Sequence, residues 1–166
     1  PGEELLLDYV AGSLAETWSL AVATHLALCP ICRRTVSELE AVGGELVSAV
    51  APVPVEDDLY DSIVAATNAA HEDSVSSRPV TNSSGPNPIL PEPLRSYLGG
   101  DVDSLEWRRL GLGAHQLPIP TGDELTTARL LRIPAGRPVP THSHGGLELT
   151  LVLSGAFSDS TGTYRR

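Results

Sequence analysis

Residues 24–34 read "THLALCPICRR" and contain the only two cysteines of the 166-residue chain, Cys29 and Cys32, with His25 four residues ahead of the first. A CxxC pair after a strand, in a βαβ setting, is a redox dithiol. Between two helices, with a histidine one turn away, it is a metal corner. The flanking sequence decides between them. Upstream, Leu14, Trp18, Ala21, Val22, His25 and Cys29 recur at helical spacing, the stripe of one buried helix face. Ser13 stands where an N-cap would, with Glu16 three residues later to complete a capping box. Downstream, Pro30 suits the first turn of another helix, which continues with Val36, Leu39, Val42, Leu46 and Val50 on one side. Gly43 and Gly44 weaken that helix and are expected to bend or end it. His25 and Cys29 then point into a helical bundle and Cys32 returns from the next helix, so three ligands that suit zinc converge. No βαβ pattern lies nearby. The residues by themselves leave a structural zinc site, a thiol redox switch and incidental core cysteines open, and the added histidine matches the first.

Working outward, "EELLLDYVAG" (3–12) reads as a short helix with acids in its first turn and Gly12 as its stop. "APVPV" (51–55) is a stiff spacer, and Glu56, Asp57 and Asp58 place negative charge at the start of a fourth helix reaching His71. Leu59, Tyr60, Ile63 and Val64 give that helix a short apolar face, free to dock onto a partner instead of the first three helices. Residues 72–93 are rich in Ser, Pro, Asn and Gly, and read as a linker. Beyond it, "HQLPIP" (115–120), "ARLLRIPAG" (128–136) and "LELTLVLSG" (147–155) read as strands. The expected organisation is a helical domain over 1–71, a linker over 72–93 and a β domain over 94–166, without internal repeats.

Apolar residues make up 41% of the chain and aromatics only 4%, so its cores must be built from aliphatic side chains. Two cysteines are too few for a disulfide framework. No apolar run is long enough to span a bilayer and no signal-peptide pattern appears at the visible start, so a soluble cytoplasmic protein with no membrane partner is expected. The chain does not begin with Met, and a preceding segment is expected. The net charge of −10 is uneven: residues 1–71 carry 11 acidic side chains and two arginines, residues 72–166 carry 10 and nine. The acidic first part is repelled by nucleic acid and attracted to basic protein surfaces, so no direct nucleic-acid contact is expected.

Residues 136–155, "GRPVPTHSHGGLELTLVLSG", hold a second candidate site. His142 and His144 lie two apart and share one side of a strand, and Glu148 follows at even spacing. Two imidazoles and a carboxylate suit zinc or another divalent transition metal. His115 reads as an ordinary strand-end residue, and His71 as a charge that suits a helix C-terminus.

Two resemblances follow from these residues. "HLALCPICRR", in a small acidic domain beginning "LLLDYVAGSL", resembles the zinc-binding anti-sigma factors of bacteria, whose pattern is His-x3-Cys-x2-Cys plus one further histidine upstream. His25, Cys29 and Cys32 match the clustered ligands. The fourth ligand is expected upstream of Pro1, or else Glu3, Glu4 or water completes the site. Gly136 to Gly155 resembles the first motif of the cupin superfamily, and the second cupin motif is absent before Arg166. Together the two regions resemble the ChrR-like subfamily of anti-sigma factors. That resemblance implies a small all-α zinc-binding domain followed by an all-β, cupin-like jelly-roll barrel, incomplete in this sequence. It implies a non-enzymatic transcription regulator that binds an extracytoplasmic-function sigma factor 1:1 and inhibits it through the zinc domain. The cupin-like domain would be needed for the response to photo-oxidative, singlet-oxygen stress. The alternative is a metal-dependent cupin enzyme, a dioxygenase or isomerase, with His142, His144 and Glu148 as catalytic ligands and the helices as an interaction module.

Overall fold

The computed structural model describes residues 1–77, 88–137, 145–159 and 161–166. Five helices come first: α1 (Glu3–Val10), α2 (Glu16–Leu28), α3 (Pro30–Ser48), α4 (Leu59–Ser77) and α5 (Glu92–Leu98). Glu3 and Glu4 sit in the first turn of α1, where the helix dipole favours them, and Gly12 reverses the chain at φ 68°. Ser13 does not cap α2. Its hydroxyl turns back to donate to the Asp8 carbonyl at 3.0 Å, and α2 starts after Ala15 with no side-chain cap. The expected capping box fails because both of its members are engaged elsewhere: Ser13 closes the end of α1, and the Glu16 carboxylate faces Tyr97 and Gly122.

Two compact units emerge, one from Pro1–Ala41 with Ser84–Arg166, the other from Val42–Ser83. The first contains two apolar clusters. Leu6, Val22 and Val36 are buried together, with Leu14, Leu26, Cys32 and Leu39 packed around them. Leu90, Leu94 and Ile119 form the second, joined by Leu20, Leu130 and Leu153. α2 therefore serves both, Val22 on one side and Leu20 on the other. The sequence pattern gave this helix one buried stripe, but Thr17 and Thr24 are buried as well. Thr24 satisfies its hydroxyl on the Leu20 carbonyl one turn back, at 2.7 Å, so it can be enclosed without a distant partner. Asp101 fixes the approach to the second cluster: its carboxylate accepts hydrogen bonds from the backbone N–H groups of Ile89, Leu90 and Val102 at 2.8–3.0 Å.

The second unit exposes its apolar side chains. α3 runs through Gly43 and Gly44 without ending, since two glycines cost only about 2 kcal/mol in a helix that its first turns already anchor. The stripe it carries is buried at Val36 but open at Val42 and Leu46, and Val50, just past its end, is exposed as well. α4 extends past His71 to Ser77, so residues 72–77 are helical instead of linker, and Leu90, also expected in the linker, is a core residue. Every residue from Val50 to Ala70 is exposed.

Strands β1 (Arg108–Gly111), β2 (Ala114–Ile119) and β3 (Ala128–Arg132) form an antiparallel sheet in the order β1-β2-β3. The β1–β2 turn puts Gly111, Leu112 and Gly113 at positive φ. β4 (Ala156–Ser158) and β5 (Thr163–Arg165) form a separate hairpin. Among the described residues there is no closed barrel, and the expected strand over 147–155 is not formed. A strand exists only through a paired neighbour, and Leu147–Leu153 forms no ladder with any described strand. No helix among the described residues is long and apolar enough to cross a membrane.

Candidate metal centre

The corner between α2 and α3 contains no loop. Cys29 is the residue after α2, extended at φ −110° and ψ 106°, and Pro30 already begins α3. Proline fits there because the first N–H of a helix has no intrahelical partner to lose. The Cys29 N–H still bonds the His25 carbonyl at 2.9 Å, and Arg33 reaches back to donate to the Leu26 carbonyl at 2.6 Å, closing the end of α2. This compact turn brings His25, Cys29 and Cys32 together. One ligand atom from each lies within 4.8 Å of the others, and His25 Nε2 stands 3.2 Å from Cys32 Sγ. All three side chains are half-buried.

The protonation states are set by this geometry. Burial lowers the His25 pKa, which favours the neutral imidazole that can present a lone pair. The Cys32 N–H at the start of α3, together with the Cys32 thiol and the Ile31 N–H, lowers the Cys29 pKa toward the thiolate. Cys32 moves the other way: burial and its hydrogen bond to Cys29 raise its pKa. Helix-terminal amides favour one thiolate here, not both.

A tetrahedral zinc ion has Zn–S bonds near 2.3 Å and Zn–N near 2.0 Å, so its ligand atoms stand about 3.5–3.8 Å apart. His25 Nε2 and Cys32 Sγ stand close to that spacing and all three ligand atoms lie within 4.8 Å of one another, so small side-chain adjustments would seat an ion. Among the described residues no carboxylate joins the group. Pro1 lines the same cavity as His25.

The second candidate site is not assembled among the described residues: Glu148 is exposed, and His142 and His144 lie outside them. His115 sits on β2 opposite Arg109 and Arg132. One constellation escaped the sequence altogether. Glu16 and Thr17, at the start of α2, meet Tyr97, Thr121 and Gly122. Contacts separated by 81 to 106 residues leave no local signal, and Glu16 had already been assigned to a cap.

Comparison with known proteins bears on both regions. A family model described as the ChrR cupin-like domain matches residues 97–166. The chain is 44% identical over 159 residues to the anti-sigma-E factor ChrR of Cereibacter sphaeroides, covering 96% of this chain and 71% of that protein. The chain belongs to the ChrR family of anti-sigma factors. It also matches the crystal structure of Rhodobacter sphaeroides SigE in complex with the anti-sigma ChrR, with a TM-score of 0.74 and 39% identity over 99% of this chain and 81% of that one. A ChrR-family protein is a regulator, which sets aside the cupin-enzyme alternative. The cupin-like region is present, in the open form described above, and the His25–Cys29–Cys32 group is one that could hold zinc in a ChrR-type helical region.

Proposed function

We propose that this chain captures an extracytoplasmic-function sigma factor as a 1:1 complex, in the cytoplasm, and releases it under photo-oxidative stress. The observation that carries the reading is the unburied apolar face of α3 and α4. Val42, Leu46, Tyr60 and Ile63 are 59%, 68%, 76% and 56% exposed on helices that also carry Glu38, Glu40, Glu45 and Asp61. A surface that apolar on a monomer marks a protein interface. The acidic charge of residues 1–71 steers it toward basic patches such as those a sigma factor turns to nucleic acid or polymerase. The solved complex of a 39% identical relative with SigE supports the class of partner.

In this reading the N-terminal helices bind and the cupin-like region over 97–166 responds. Zinc on His25, Cys29 and Cys32, with a fourth ligand from upstream of Pro1, is structural and crosslinks α2 to α3. His142, His144 and Glu148 form a second divalent-metal site in the cupin-like region, supported by their spacing. The test is co-purification with the cognate sigma factor from cells of the source organism. Ile63→Asp and Leu46→Asp should each weaken capture at least ~30-fold, because a buried unpaired carboxylate replaces an apolar contact. Full capture by the double variant would refute this docking face, and recovery of no sigma factor by the wild-type chain would refute the function.

A further inference from the structure

Glu16 is the first residue of α2, and its carboxylate is held from two directions. Oε1 accepts a hydrogen bond from the Tyr97 hydroxyl at 2.8 Å, and Oε2 accepts one from the Gly122 N–H at 2.5 Å. The hydroxyls of Thr17 and Thr121 meet alongside at 2.9 Å. A Cβ on Gly122 would come within 3.1 Å of Glu16 Oε2, so any larger residue there would push the carboxylate back by a few tenths of an ångström. Tyr97 belongs to α5 and Thr121 and Gly122 follow β2, so three C-terminal residues grip the first turn of one N-terminal helix. The opposite end of that helix supplies His25 and leads directly into Cys29. Along its length α2 is clamped between two apolar clusters, through Val22 and Leu20. A 13-residue helix spans about 20 Å and moves as a rigid rod, so displacement at one end is felt at the other.

We propose that Glu16 and Tyr97 form a latch through which the cupin-like region holds α2, and that this latch is energetically coupled to the metal corner at the far end of the helix. The proposal rests on the reading of that corner as a zinc site. Closing the latch fixes the axis of α2 and so pre-positions His25 and Cys29. Metal on the corner fixes the same axis from the other side and favours the closed latch. Such coupling must be reciprocal. It gives the cupin-like region a mechanical route along α2 to the metal corner, in addition to the cavity that Leu149 and Leu151 share with His25.

The test uses the full chain in its zinc-loaded form and follows exchange of the Gly122 amide with deuterium, alongside zinc affinity from competition with a chromogenic chelator. Tyr97→Phe removes one hydroxyl from a side chain at the surface, and Glu16→Gln removes the charge. Each should speed Gly122 exchange about ten-fold, the loss expected for one charge-assisted hydrogen bond, and weaken zinc binding by about three- to ten-fold. Stripping zinc from the wild-type chain should speed Gly122 exchange by the same factor as the loss of affinity. Faster Gly122 exchange in the variants with unchanged zinc affinity would overturn the coupling and leave a local clamp. Unchanged Gly122 exchange in both variants would overturn the latch itself. A wild-type chain that binds no zinc would overturn the metal reading and the coupling together, with the Tyr97→Phe exchange data separating that failure from failure of the latch.

Discussion

Removal of zinc is the perturbation whose size the structure constrains most tightly. Cys32 is both a candidate ligand and a side chain packed on the Leu6–Val22–Val36 cluster, and Val22 is only 1% exposed. Metal at the corner therefore tethers α2 and α3 at the cluster that joins them. An ion that binds the native state alone stabilises it by about 4 kcal/mol when free metal is a thousand-fold above Kd. For a chain of this size each kcal/mol shifts Tm by about 2–4 °C, so chelation should lower Tm by about 8–16 °C. Cys32→Ser should melt near the chelated value and ignore added zinc. Because Cys32 holds its proton more tightly than a free thiol while His25 is already neutral, zinc binding must expel a thiol proton, and affinity should rise with pH through neutrality. The assay is calorimetric melting in zinc buffer with and without chelator, with zinc counted per chain by mass spectrometry. A Tm that moves by less than about 2 °C while bound zinc falls from one per chain to none would refute the structural role.

Three further outcomes are expected. Val22→Ala deletes two buried methyl groups from the cluster shared by α1, α2 and α3, and should cost about 2 kcal/mol in urea unfolding. Burial would raise the Asp101 pKa, but the N–H groups of Leu90, Val102 and Ile89 and the charge of Arg95 outweigh it and hold the value low. A depressed folded-state pKa contributes stability that is complete above the ordinary value near 4 and lost as pH falls through the folded one. Asp101→Ala should therefore lower stability at neutral pH and flatten its loss in acid, as read by unfolding curves from pH 7 to pH 2. Metal analysis should find a second transition-metal ion per chain that disappears in His142→Ala/Glu148→Ala, with sigma-factor capture unchanged; retention of both ions would remove the second site.

The helices were legible wherever local chemistry set them. Acids and Gly12 bracket α1, Pro30 marks the start of α3, and the histidine one turn before CxxC announces a corner instead of a dithiol. Legibility failed where the deciding partner was distant. Ser13 and Glu16 have the spacing of a capping box, and nothing near them in sequence reveals that Tyr97 and Gly122 claim Glu16. Thr17 and Thr24 fall outside the apolar stripe of α2, yet both are buried, one against Thr121 and the other on its own helix. The alternation of "LELTLVLSG" is a strand pattern, but pattern supplies only a preference, and the ladder must come from another segment. The candidate zinc ligands were readable because three of them fall within eight residues, whereas Glu148 and its two histidines depend on a fold that short-range spacing does not establish.

The two-sided burial of α2 bears on how this protein can be cut and recombined. A fragment ending near residue 71 would keep the Val22 side of α2 covered but strip the side that carries Thr17 and Leu20 of Leu90, Leu94 and Thr121. Such a piece would display a raw interior surface and adhere to unrelated proteins, masking whatever specific binding its helices carry. A chimera that grafted these helices onto a foreign sensor would inherit the same bare flank. Exchanging the C-terminal region between relatives therefore requires exchanging the outward half of α2 with it, so the natural seam for engineering runs lengthwise through a helix and not across the linker.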